Sequence, residues 1–156
     1  MENEKKNIIF LADMQSFYTS VEKAHDPRKK HQPLIVAGNP KKRSGIILAA
    51  CPLAKQHGIT TAEPLHQALA KCPHVIVKKP RMQTYIDISI HITSIVQRFT
   101  ELVEPYSIDE QLHDVTGSTK LFGSANNITN NYSMLSYKKQ AYGPESALEK
   151  IKSFQN

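Results

Sequence analysis

"YSIDE", residues 106–110, is the stretch on which the reading of this chain turns. It closes ELVEPYSIDE (101–110) and is followed by QLHDVTG (111–117). Both segments read as strands, so Asp109 and Glu110 fall at the turn between them. Adjacent carboxylates repel: two unit charges about 4 Å apart cost about 4 kcal/mol at an effective dielectric near 20. Either their pKa values rise or a divalent cation neutralises them. A plain hairpin turn is the competing explanation.

Working outward, NIIFLAD (7–13) is a short apolar run ending in Asp13, a buried strand by pattern. If it lies beside strand 111–115, Asp13 leaves its strand near the turn, and three carboxylates meet at one sheet edge. Oxygen ligands without a matching His or Cys cluster suit magnesium or manganese rather than zinc. Two such ions roughly 4 Å apart suit phosphoryl transfer. Equally open is Asp13 as a helix cap with Asp109–Glu110 in an ordinary turn.

SFYTSVEKA (16–24) predicts a helix, capped by Ser16 or Asp13, with Phe17, Val21 and Ala24 on one face. PLIVAG (33–38) reads as a strand, and 33–50 reads as a hairpin around the basic loop NPKKRSG (39–45). Pro52 opens a short helix that Gly58 closes. AEPLHQALAKC (62–72) predicts a helix and HVIVKK (74–79) a strand. After Pro80 comes the longest helical pattern, with Tyr85, Ile88, Ile92, Ile95, Phe99 and Leu102 at spacings of three and four. Residues 124–143 are rich in Asn and Ser, and PESALEKIKSF (144–154) predicts a short amphipathic helix.

The 156 residues suffice for one ordinary domain or two small lobes. No window approaches the length of a membrane span and the start is polar and mixed in charge, which sets a cytoplasmic expectation. Cys51 and Cys72 form no CxxC pair and have no paired His motif, so the pattern favours buried free thiols over zinc. Twenty basic and fourteen acidic residues give a net charge of +6. Residues 23–43 hold seven basic residues (Lys23, Arg28, Lys29, Lys30, Lys41, Lys42, Arg43) against Asp26 alone, so this segment accounts for the whole excess. Such a segment suits a polyanion or serves as a solvated loop.

DMQSFYTSVE (13–22) together with YSIDE resembles the palm signature of the Y-family translesion DNA polymerases, which include the UmuC and DinB branches. RSGIILAACPLAKQHGITTAEPL (43–65) resembles the fingers of that family, and PRMQTYIDIS (80–89) resembles the entry to its long palm helix. These segments stand in the family's order, closest in flavour to the UmuC-like branch of Gram-positive bacteria. The resemblance implies an α+β chain with a discontinuous palm (1–26 and 74–123), a small α/β fingers insertion (27–73) and a tail (124–156) that departs from the family pattern. The palm expected is a βαββ-type, ferredoxin-like sheet. Thumb, little finger and last palm strand find no match, which leaves strand 7–13 at an edge open to residues 124–143 or to another chain.

The resemblance also implies roles. Asp13, Asp109 and Glu110 match the metal-binding carboxylates, and the Met14 carbonyl a further ligand, for two Mg2+ or Mn2+ ions. Phe17 lies along the triphosphate, Tyr18 is the steric gate under the sugar, and Lys55 is a basic fingers residue facing the phosphates. Lys42 and Arg43 lie over template or nucleotide, or in solvent. Ala49 and Pro52 replace Thr and Tyr common in other branches, while Leu112 and His113 replace two large apolar residues. The function implied is template-directed nucleotidyl transfer in translesion synthesis and DNA repair, on deoxynucleoside triphosphate and primer–template DNA gripped weakly without a thumb. The alternative is a non-catalytic remnant or regulatory module that binds a polymerase, a sliding clamp or the replication machinery.

Overall fold

The structure is a computed structural model that describes residues 7–39, 45–124, 126–128, 130 and, for their backbone, 150–155. The fold is mixed α+β, and the chain divides into two units. One comprises residues 7–15 and the described part of 86–155; the other comprises residues 16–85.

The first unit is built on a four-stranded antiparallel sheet: β1 (Ile8–Asp13), β5 (Val103–Pro105), β6 (Glu110–Asp114) and β7 (Lys150–Gln155), in the order β5-β6-β1-β7. The alternation of side chains splits its central pair into two faces. Phe10, Ala12, Gln111 and His113 are buried, whereas Ile9, Leu11, Asp13, Glu110, Leu112 and Asp114 are half-buried. Phe10 packs with Val96, Phe99, Val115 and Ile128 into one apolar core. Gln111 donates its amide N–H to Thr93 Oγ1 at 2.7 Å, so the covered face is the one toward helix α4 (Met82–Val96). Helix α5 (Thr119–Phe122) follows β6.

Two expectations are corrected here. Strand 7–13 is not an edge: β7 pairs with it along six positions, from Ile8 opposite Gln155 to Asp13 opposite Lys150. The fourth strand of a βαββαβ sheet is therefore present. It is formed by residues 150–155, for which a helix was expected. Apolar residues at 151 and 154 fit a helical face, but the unpaired backbone groups of β1 outweigh so short a periodicity. The remainder of the expected helix and most of the Asn-rich stretch lie outside the described residues.

The second unit holds a three-stranded sheet, β2 (Leu34–Ala37), β3 (Ile47–Ala50) and β4 (Ile76–Lys78), in the order β3-β2-β4. β2 and β3 form the expected antiparallel hairpin, and β4 joins β2 in parallel. Helices α1 (Phe17–His25), α2 (Pro52–Gln56) and α3 (Leu65–Lys71) complete it. The four residues of β2 are all buried, as a central strand covered on both faces requires. Gly58 takes φ +77°, the left-handed conformation that ends the turn after α2 without a Cβ penalty. No helix among the described residues is long and apolar enough to cross a membrane.

Candidate active site

In the four-stranded unit, register does the positioning. Asp13, the last residue of β1, pairs with Glu110, the first of β6. Directly opposed residues of an antiparallel pair point to the same face, here the half-buried one. Asp109 is fixed beside them by the backbone: the Met14 N–H donates to the Asp109 carbonyl at 2.8 Å. The hairpin carrying Asp109 is closed by the Tyr106 and Ser107 N–H groups, which donate to the Glu110 carbonyl at 2.9 and 3.1 Å. Ser107 Oγ donates to Asp109 Oδ1 at 2.8 Å. Asp13, Asp109 and Glu110 are each half-buried, and Met14 is fully buried.

Like charges facing each other across a ladder are destabilising. Asp13, Asp109 and Glu110, brought to one end of the sheet by register and by the Met14–Asp109 backbone bond, form an oxygen-only set of donor types. It fits a hard divalent cation in chemistry and in its partial access to solvent. His113, two positions beyond Gln111 on the covered face, takes no part in that set. It is fully buried opposite Phe10. Burial pushes its pKa down to about 4.

In the second unit, Phe17 and Tyr18 open α1. The entry is not capped by a side chain: Ser16 adopts φ 51°, and its carbonyl accepts from Thr19 Oγ1 at 2.9 Å and from the Ser20 N–H at 2.9 Å. Phe17 is buried, and its ring meets Tyr18 edge-on at 5.6 Å. Tyr85 braces both, at 4.9 Å from Tyr18 and 6.4 Å from Phe17. Lys55 projects from α2 as an exposed residue. Lys42 and Arg43 lie outside the described residues.

The sequence reading missed the network behind these aromatics. Glu22 is only 3% exposed and is held by Arg81 through two bonds, Nε to Oε1 at 2.9 Å and Nη2 to Oε2 at 3.1 Å. The Tyr85 hydroxyl also donates to Glu22 Oε1, at 2.9 Å. Burial pushes the Tyr85 pKa up to about 12, so its hydroxyl stays a donor. The signal was present as the i, i+4 pair Arg81–Tyr85 after Pro80. It could not be assigned without knowing that Glu22, 59 residues from Arg81, faces it.

Known proteins are similar to this chain in sequence and in fold. A family model described as "impB/mucB/samB family" matches residues 12–145. That match extends past residue 123, where the motif resemblance ends. DNA polymerase IV 2 of Bacillus subtilis is 52% identical over 153 residues, covering 94% of this chain and 37% of that protein. DNA polymerase IV 2 of Halalkalibacterium halodurans is 52% identical over 121 residues, covering 78% of this chain and 30% of that protein. The chain thus spans about a third of the length of these relatives. Among solved structures, a Dbh–Dpo4 Y-family DNA polymerase chimera aligns with a TM-score of 0.78 at 25% identity, over 94% of this chain and 41% of that one. DinB from Sulfolobus solfataricus aligns with a TM-score of 0.81 at 22% identity, over 94% and 42%. The chain belongs to the impB/mucB/samB family and has the fold of the corresponding part of the Y-family DNA polymerases.

Proposed function

We propose that this chain is the palm and fingers of a translesion DNA polymerase and takes part in metal-dependent, template-directed nucleotidyl transfer in the cytoplasm. The observation that carries the reading is the registration of Asp13 against Glu110, with Asp109 pinned by the Met14 N–H. Residues 1–26 and 74–123 would serve as palm and residues 27–73 as fingers.

Asp13, Asp109, Glu110 and the Met14 carbonyl would hold the divalent ions, Mg2+ or Mn2+. Bound there, such ions supply activation of the primer hydroxyl and stabilisation of the leaving pyrophosphate. The carboxylates set the position at which that charge is concentrated. Leu11 and Leu112 lie on the same half-buried sheet face. Tyr18, braced by Phe17 and Tyr85, is suited to stand under the sugar and exclude a 2′-hydroxyl. A ring held on two sides cannot rotate away from the added atom. Lys55 supplies a point charge toward phosphate, without the fork an arginine would offer. Deoxynucleoside triphosphate and primer–template DNA are the partners this reading requires.

The test is magnesium- or manganese-dependent deoxynucleotide incorporation on a primer–template, comparing the native chain with Asp109→Asn plus Glu110→Gln. Incorporation should vanish in the double variant. Its metal-free stability should hold or rise by about 0.5–1 kcal/mol, because a like-charge cross-strand pair is relieved. No incorporation by the native chain at low salt would transfer the reading to the binding module. Undiminished incorporation by the variant would remove the carboxylates from the chemistry.

A further inference from the structure

Apart from the carboxylates, the three-stranded unit gathers a set of ligating side chains. His57 ends α2, Cys72 ends α3, and His74 stands two residues before β4. One ligand atom from each lies within 4.8 Å of the other two. Cys72 Sγ is 3.6 Å from His74 Nε2 and 3.8 Å from its Nδ1, and the rings of His57 and His74 meet edge-on with centroids 5.4 Å apart. The sequence argued against zinc because it offers no CxxC and no paired histidines. Three separate loop positions supply the donors instead.

We propose that His57, Cys72 and His74 form a binding site for a soft divalent transition metal, zinc in the first instance, at the surface of the three-stranded unit. One thiolate and two imidazoles are a donor set that zinc prefers and magnesium does not. Tetrahedral bonds of about 2.0–2.3 Å place ligand atoms about 3.3–3.7 Å apart. The Cys72–His74 spacing already meets that figure, and His57, on an exposed turn, has only a short distance to close. Cys72 is fully buried while both histidines are exposed, so the thiolate approaches the ion from beneath and the imidazoles from the solvent side. Three protein ligands leave a fourth position for water. Binding releases the Cys72 thiol proton to solvent and leaves the ion's charge partly neutralised by one thiolate. The ion would tie the end of α2, which carries Lys55, to the end of α3 and the start of β4.

The experiment is a titration of the chelator-stripped full chain with Co2+ in a non-thiol reductant, followed by displacement with Zn2+. One equivalent should bind with a thiolate-to-cobalt charge-transfer band, and Zn2+ should abolish it. Cobalt held by the carboxylates of the other unit gives no such band, so the two sites are separable. Cys72→Ser should remove the band and Cys51→Ser should leave it. His57→Ala and His74→Ala, both at exposed positions that spare the core, should each weaken binding at least about tenfold. If Cys72→Ser fails to fold, the two histidine variants carry the test. Absence of the band in the native chain, or affinity unchanged in both histidine variants, would overturn the proposal and leave a ring contact beside a buried thiol.

Discussion

Glu22 is a buried carboxylate whose surroundings were arranged for its charge. Arg81 grips it with two bonds and Tyr85 adds a third. The Arg81 side chain is 41% exposed, so the pair is partly screened, but Glu22 at 3% is not. Removing the cation therefore costs more than removing the hydroxyl. Arg81→Ala should destabilise by about 2–3 kcal/mol because it strands a buried charge, and Tyr85→Phe by about 1–2 kcal/mol. Urea melts check the order; equal losses would show that the pair adds nothing beyond packing.

His113 makes the opposite statement, a base kept neutral by burial. Its folded pKa of about 4 lies below the ordinary 6.5, so the folded chain binds this proton less readily than the unfolded one. The contribution is complete above about pH 6.5 and is lost as pH falls through 4, to a limit of about 3 kcal/mol. His113→Leu should flatten the fall in stability between pH 6.5 and 4, measured by denaturant midpoints. Parallel profiles for the two proteins would remove His113 as the cause. At this scale the strand pattern was legible enough to set Asp13 opposite Glu110, with Asp109 tied to Met14 through the backbone. The supporting partners were hidden because they depend on contacts between residues far apart in the chain.

Elements were legible wherever pattern and punctuation agreed. β1, the β2–β3 hairpin, Pro52 opening α2 and Gly58 after it all fall where the residues suggest. The helical stripe after Pro80 misleads past Val96. Phe99 is buried from a turn, whereas Leu102 is 66% exposed. Thr100 decides the break: its Oγ1 donates to the Asp114 carbonyl at 2.6 Å and accepts from the Leu102 N–H at 3.1 Å. That draws the chain out of the helix toward β6, a choice that tertiary pairing makes and periodicity cannot show. β7 is the same lesson at larger scale. Ending the chain at residue 149 removes the strand that pairs with β1 at six positions. Each lost backbone bond is worth about 0.5–1.5 kcal/mol, so the shortened chain should lose several kcal/mol. It should also associate through the exposed edge. Sizing and melting together test this; a stable monomer would mean that β7 contributes little to the sheet.

Over the whole molecule, charge is more uneven than its sum implies. The entire excess of +6 lies within residues 23–43. Part of that segment is internally engaged. Arg28 and Lys29 both pair with Asp26, holding its carboxyl well below the usual range. Lys23 Nζ donates to the Lys30 carbonyl at 2.9 Å. Lys41, Lys42 and Arg43 are the densest remaining basic run. If these three meet phosphates, log K should fall with log salt at a slope near −2.7, or roughly 40-fold between 50 and 200 mM. Neutralising the three should flatten that slope across sequences, whereas Arg28→Ala should change it little because Asp26 already offsets it. The measurement is primer–template binding at several salt concentrations, made without divalent ions so that the carboxylates contribute repulsion only. A slope unchanged by the triple substitution would place the polyanion contact elsewhere and leave residues 41–43 as a solvated run.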